Sequence, residues 1–140
     1  VKTLLWLDDC RDPFDKEIDW MVFSPIGRDC NIVWVKSYDE FCDYIKNNPM
    51  PDAICFDHDL GTEGNWRTFE ENGYAAAKFL VNEIIGTKRR LPIYASQSSN
   101  PVGRENIISY LNNFVKTNPE YRPVDIRNNE IDEYGDNSPE

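Results

Sequence analysis

Short, nearly unbroken apolar runs alternate along this chain with longer stretches of helical spacing, and three of the runs end on polar clusters. Thr3-Leu4-Leu5-Trp6-Leu7, Asn31-Ile32-Val33-Trp34-Val35, Ala53-Ile54-Cys55-Phe56 and Leu91-Pro92-Ile93-Tyr94-Ala95 read as strands, the first closed by two aspartates as a doubly buried strand would be. Pro92 suits a strand start, where the missing N–H costs no ladder bond. Ser37-Tyr38-Asp39-Glu40 spells a capping box, with Ser37 as N-cap and Glu40 reaching back; Phe41, Tyr44 and Ile45 then share a helix face that ends near Asn48-Pro49. A second helix runs from about Asn72 to Thr87 with Ala77, Leu80, Val81 and Ile84 inward. A third takes Asn100 as N-cap and Pro101 at its first position, turning Ile107, Leu111 and Phe114 inward.

Residues 10–30 break the pattern. Pro13, Pro25 and Gly27 punctuate them and Trp20, Met21, Val22 and Phe23 supply anchors, which predicts an irregular connection with one short helix or strand. Residues 61–70 form a polar loop, and a last strand around Pro123-Val124-Asp125-Ile126 is weakly marked. Strands alternating with helices predict an α/β fold with helices on both faces of the sheet: a flavodoxin-like, doubly wound, three-layer sandwich with a mostly parallel central sheet. Its first strand is central, and its first helix is replaced by the irregular loop. One domain spans residues 1–126, and residues 127–140 form an acidic, loosely ordered tail.

Charge narrows the partners. The 140 residues carry a net charge of −10, while 40% hydrophobic content with 13% aromatic argues against a disordered chain. A polyanion such as duplex DNA is repelled by that surface, although one nucleotide end could be gripped through a metal ion that reverses the local field. The acidic surface is also a candidate protein-interaction face. Cys10, Cys30, Cys42 and Cys55 form no CxxC pair and no zinc-like spacing, which predicts free thiols in a reducing compartment. No run is long enough for a membrane span and no signal peptide is evident, so the expected location is the cytoplasm, with no membrane partner.

The candidate chemistry lies where strands run out. In a parallel sheet the carboxyl ends of the strands converge on one edge, where ligands bind. Asp8, Asp9, Asp57 and Asp59 would meet there, opposite the turn Gln97-Ser98-Ser99-Asn100-Pro101. Magnesium, or manganese in its place, takes oxygen ligands and shares them with phosphate, so Asp9 and Asp57 are expected as ligands with Asp8 holding a bound water. Aspartates at strand ends also serve as turn formers and caps; two acidic strand ends in one α/β chain favour the metal site. Ser98, Ser99, Asn100 and Gly103 at a helix amino terminus suit an anionic phosphate, though Asn-Pro is also a routine helix start. His58, the one histidine, is a proton carrier or a structural side chain, opposite Asp57 and Asp59 if strand alternation persists. Glu71 and Asn72 either cap a helix or close over the pocket, and Trp66 and Arg67 either stack and pair with a nucleotide or pack on the domain.

At Leu5-Trp6-Leu7-Asp8-Asp9-Cys10-Arg11, Phe56-Asp57-His58-Asp59-Leu60-Gly61, Glu71-Asn72-Gly73-Tyr74 and Asn100-Pro101-Val102-Gly103-Arg104-Glu105-Asn106-Ile107, the chain resembles the cyclic-phosphate processing receiver-like domains of bacteria and phages. The resemblance covers about residues 3–115. It implies a receiver-like sheet, a bacterial or phage-infected host cytoplasm, and a role in processing cyclic phosphate ends of nucleotides or RNA. By position, Asp8 and Asp9 look like the receiver's acidic metal pair, Asp57 like its phosphoacceptor and Ser98 like its phosphate-sensing hydroxyl, with Arg11 joining the phosphate-binding set. Two departures stand out: no lysine follows Lys116, where receivers carry one on the last strand, and Gln97 replaces the family's usual histidine before the Asn-Pro-Val-Gly turn. The expected function is a metal-dependent phosphoesterase with Asp57, His58, Asp59 and Ser98 in the catalytic set. A non-catalytic phosphate-binding module, a receiver-type signalling domain and an acidic protein-interaction domain are the alternatives.

Overall fold

The computed structural model describes residues 1–60 and 72–124. Four parallel strands, β1 (Thr3–Leu7), β2 (Asn31–Val35), β3 (Ala53–Phe56) and β4 (Ile93–Ser96), form one sheet in the order β2-β1-β3-β4. The first strand is therefore an inner one, with both backbone edges paired, as its apolar run requires. Three helices follow β2, β3 and β4: α1 (Tyr38–Asn47), α2 (Gly73–Thr87) and α3 (Pro101–Thr117).

Strand alternation sorts the core in two. Leu5, Leu7, Ile54 and Phe56 point to the face covered by the helices, where they meet Phe41, Ile45, Leu80, Ile84, Ile107 and Leu111. Leu4, Trp6, Ala53 and Cys55 point the other way and pack on Met21, with Trp20, Ile26 and Cys30 at the margin. Among the described residues, the second face is thus covered by residues 10–30 and by no helix. The expectation of helices on both faces is corrected here: the third layer is that connection, and its one regular piece is a 3-10 turn at Trp20–Phe23. Proline and glycine interrupt any longer helix there, while Met21 is still buried.

The helix ends follow local chemistry with one correction. The Glu40 N–H donates to Ser37 Oγ at 3.1 Å as expected, but Glu40 Oε1 accepts from the Lys36 N–H at 2.9 Å, one residue before the cap position of a capping box. Asn72 and Asn100 cap α2 and α3, accepting from the Ala75 and Gly103 N–H groups at 2.9 and 3.0 Å. Strand β4 begins two residues later than its apolar run, because the Leu91 N–H leaves the sheet to donate to the Tyr121 carbonyl at 2.9 Å. The expected last strand is not formed at Pro123 and Val124; its remainder at Asp125 and Ile126, and the acidic tail, lie outside the described residues.

Candidate functional site

Register puts three polar side chains in one row. Leu7 pairs with Phe56, and Phe56 with Ser96, so Asp8, Asp57 and Gln97 each stand one residue beyond a paired position. The ladder extends through them: the Asp57 N–H donates to the Leu7 carbonyl at 2.9 Å and the Gln97 N–H to the Phe56 carbonyl at 3.3 Å. With a period of two, Asp8 follows Trp6 and Asp57 follows Cys55, so both carboxylates fall on the face covered by residues 10–30. All three are buried.

Asp8 is a hub. Its Oδ1 accepts from the backbone N–H groups of Cys10 and Arg11 at 3.0 and 2.8 Å, and its Oδ2 accepts from Gln97 Nε2 at 3.1 Å. Two indoles brace the same turn: Trp34 Nε1 donates to the Asp8 carbonyl and Trp6 Nε1 to the Arg11 carbonyl, each at 2.8 Å. Held this way, Arg11 reaches both acids through Nη1, 3.4 Å from Asp8 Oδ2 and 3.5 Å from Asp57 Oδ1. Its guanidinium also lies 5.2 Å from the ring centre of Trp20.

Asp57 has fewer donors. The His58 N–H reaches its Oδ1 at 2.9 Å, beside the longer Arg11 contact. Burial, then the neighbouring charge of Asp8, pushes its carboxyl up to about 7, against the opposing pull of Arg11 and the His58 N–H. The backbone behind it is crowded. A Cβ built on Gly73 would lie 1.8 Å from the Asp57 carbonyl oxygen, and the Gly73 N–H donates to the His58 carbonyl at 2.8 Å. Only glycine lets α2 start this close to the strand end.

His58 and Asp59 lie past the end of β3, so the alternation that would have set them on opposite faces does not persist, and His58 Nδ1 contacts Asp59 Oδ1 at 2.9 Å. Asp59 Oδ2 accepts from Asn100 Nδ2 at 3.3 Å, tying the pair to the start of α3. The His58 ring rests where position 103 has no side chain; a Cβ there would come 2.3 Å from its Cγ. With Nδ1 turned to Asp59, Nε2 is the ring nitrogen left for proton transfer. Ser98 is buried, its Oγ accepting from the Asn100 N–H at 3.1 Å and its carbonyl from Arg104 Nη1 at 2.7 Å, while Ser99 is exposed.

The donor set suits a hard cation. Ligand atoms of Asp8, Asp9 and Cys10 lie within 4.8 Å of one another. Two carboxylates are fitting magnesium or manganese ligands, whereas the Cys10 thiol, pushed up by burial and then by Asp8 and Asp9, stays protonated and contributes no hard oxygen. Gln97 stands beside this group: its Nε2 is fixed by Asp8 and by the Leu7 carbonyl at 3.0 Å, and its buried Oε1 has no hydrogen-bond partner among the described residues. Asp57 shares Arg11 with this group.

Trp66, Arg67 and Glu71 lie outside the described residues, and Asn72 is the cap of α2. Sequence reasoning did not find the bracing roles of Trp6 and Trp34 or the backbone role of Gly73. A tryptophan inside a strand does carry a signal, since a buried indole N–H needs an acceptor. A cleft of about 350 Å³ opens elsewhere, between Met50, Asp52, Arg89 and Val124 near the amino ends of β3 and β4, and takes in none of the predicted site residues. Among the described residues no helix is long and apolar enough to cross a membrane, and all four cysteines are free.

No curated protein and no solved structure matches the chain. One family does: the cyclic-phosphate processing receiver domain matches residues 3–113, a span that takes in all four strands, the acidic row and the start of α3. With that match over most of its length, the chain belongs to the cyclic-phosphate processing receiver domain family.

Proposed function

We propose that this domain is a metal-dependent phosphoesterase that opens a cyclic phosphate at the end of a nucleotide or RNA. The observation that carries the reading is Asp57: a buried carboxylate pushed up to about 7 beside Asp8, on the edge where this fold class binds ligands. Asp8 and Asp9 would hold magnesium or manganese, with Asp57 completing the acidic wall. When bound, the ion supplies Lewis-acid polarisation of the phosphoryl group and an activated water.

The chain's own groups divide the remaining work. Asp59 holds the His58 imidazole through Nδ1, which leaves Nε2 to take a proton from water and return it to the departing ribose oxygen. One P–O bond to water forms as one ring P–O bond breaks, so the proton count balances with a single carrier. The exposed Ser99 hydroxyl, Asn100 and the Val102 N–H at the start of α3 would orient the non-bridging oxygens, with Ser98 buried beneath them as support. A strained five-membered cyclic phosphate lowers the demand on such a site.

Gln97 favours one second reading. A carboxamide in the place of the family's histidine moves no proton, which suits a module that binds phosphate without turnover. The test is calorimetric titration of magnesium and manganese into wild type and Asp57→Asn, then incubation with a 2′,3′-cyclic nucleotide. Metal-dependent ring opening lost in Asp57→Asn is the expected result. Metal and phosphate binding without ring opening assigns the module.

A further inference from the structure

Arg11 stands where the proposed chemistry needs a cation. Its backbone is fixed, because its N–H donates to Asp8 Oδ1 and its carbonyl accepts from Trp6 Nε1. The side chain is long and 16% exposed, so part of it reaches solvent. Both carboxylate contacts fall on one nitrogen, at 3.4 and 3.5 Å. A tight charge-assisted bond is about 2.7–2.9 Å, and an arginine built for permanence usually grips one carboxylate with two parallel bonds. Neither holds here.

The charge balance points the same way. Asp8 and Asp9 cluster at this edge with Asp57 on the neighbouring strand, and one guanidinium nitrogen is shared between Asp8 and Asp57. A magnesium ion takes carboxylate oxygens at about 2.1 Å, far closer than Arg11 sits. An ion on these oxygens would sit beside the like charge of Arg11 and repel it, and Asp8 Oδ2 already accepts from Gln97 as well.

Resting on the metal-dependent reading above, we propose that Arg11 is an exchangeable counter-ion. It neutralises Asp8 and Asp57 in the metal-free chain, leaves them when a divalent cation takes the acidic row, and then pairs its freed guanidinium with the substrate phosphate. Arg11 thereby couples the two ligands: phosphate gains its arginine only after the cation is in place. Trp20 reports the movement, since the guanidinium must leave its ring face.

The test titrates manganese chloride calorimetrically into wild type, Arg11→Gln, Arg11→Lys and Asp57→Asn, and follows tryptophan emission with Trp20→Phe as control. Loss of the competing charge in Arg11→Gln tightens manganese binding about fivefold, the order expected for one partly exposed ion pair. Inorganic phosphate added at saturating manganese then binds about tenfold more weakly to Arg11→Gln than to wild type. Manganese shifts the emission of wild type and not of Trp20→Phe. If Arg11→Gln does not melt cooperatively, Arg11→Lys carries the test, because an ammonium grips the two carboxylates less well and manganese again binds tighter than in wild type. Manganese that binds wild type and is lost in Asp57→Asn, yet binds neither arginine variant more tightly, overturns the exchange and leaves the metal reading standing. No manganese binding by any of these proteins overturns both.

Discussion

Asp8 and Asp57 occupy matching places, each one residue past a paired position on adjacent parallel strands and each buried, yet their surroundings differ sharply. Asp8 accepts from two backbone N–H groups, a carboxamide and, more distantly, Arg11. Asp57 has one backbone N–H and the longer contact to the same arginine. The cause is the chain that follows. After Asp8 the backbone turns back at once, aiming the Cys10 and Arg11 N–H groups at the carboxylate; after Asp57 it runs on toward His58 and the tight start of α2. One acid is held in place by its donors at the proposed metal site, and the other is left with fewer partners. Donors orient a buried carboxylate, and their scarcity raises its affinity for a proton.

The largest effect that tests this contrast comes from Asp8→Ala. Gln97 Nε2 and two backbone N–H groups lose their acceptor at once, and urea denaturation should show a loss of about 3–5 kcal/mol. A loss below about 1 kcal/mol would show that the hub is not structural and would break the comparison.

Asp57→Asn should act in the opposite direction, and with a pH signature. The folded carboxyl sits at about 7, above an unfolded value of about 3.9. Between those values the folded chain binds more protons than the unfolded one, so wild-type stability falls as pH rises. In the presence of a chelator the asparagine variant should match wild type near pH 4 and exceed it by about 2–4 kcal/mol at pH 8, read from denaturation at both pH values. Equal stability at pH 8 would place Asp57 alongside Asp8 as a satisfied carboxylate.

Gly73→Ala sharpens the contrast from the backbone side. Its Cβ must push against the Asp57 carbonyl oxygen, 1.8 Å away, so either α2 or the strand end shifts. A loss of about 2–3 kcal/mol in a thermal or urea melt is expected, with metal affinity falling alongside it. The smallest effect is Trp34→Phe. It removes one N–H bond to the Asp8 carbonyl at the cost of about 1 kcal/mol, and leaves the titration of Asp57 unchanged by NMR.

Much of this was legible beforehand for local reasons. Ser37, Asn72 and Asn100 cap their helices because a short polar side chain before an apolar-periodic stretch satisfies orphan N–H groups wherever the rest of the chain lies. The inward faces of α3 and the inner place of β1 followed from periodicity and topology. The relation of His58 to Asp59 did not, because alternation holds only while the strand continues, and β3 stops at Phe56. Nor did the position of Arg11, three residues from Asp8 yet shared with Asp57 across 46 residues of chain.

What the sequence determined by itself is therefore the set of elements and the kind of chemistry at their ends: buried apolar strands that run out into acids, and a capped helix beside them. That information is local, carried by spacing and side-chain type within a few residues. The tertiary structure alone decided which acid is met by several donors and which by few. That outcome depends on strand register, which aligns Asp8, Asp57 and Gln97 in a row, and on the covering segment, which brings one guanidinium and few N–H donors to share among them.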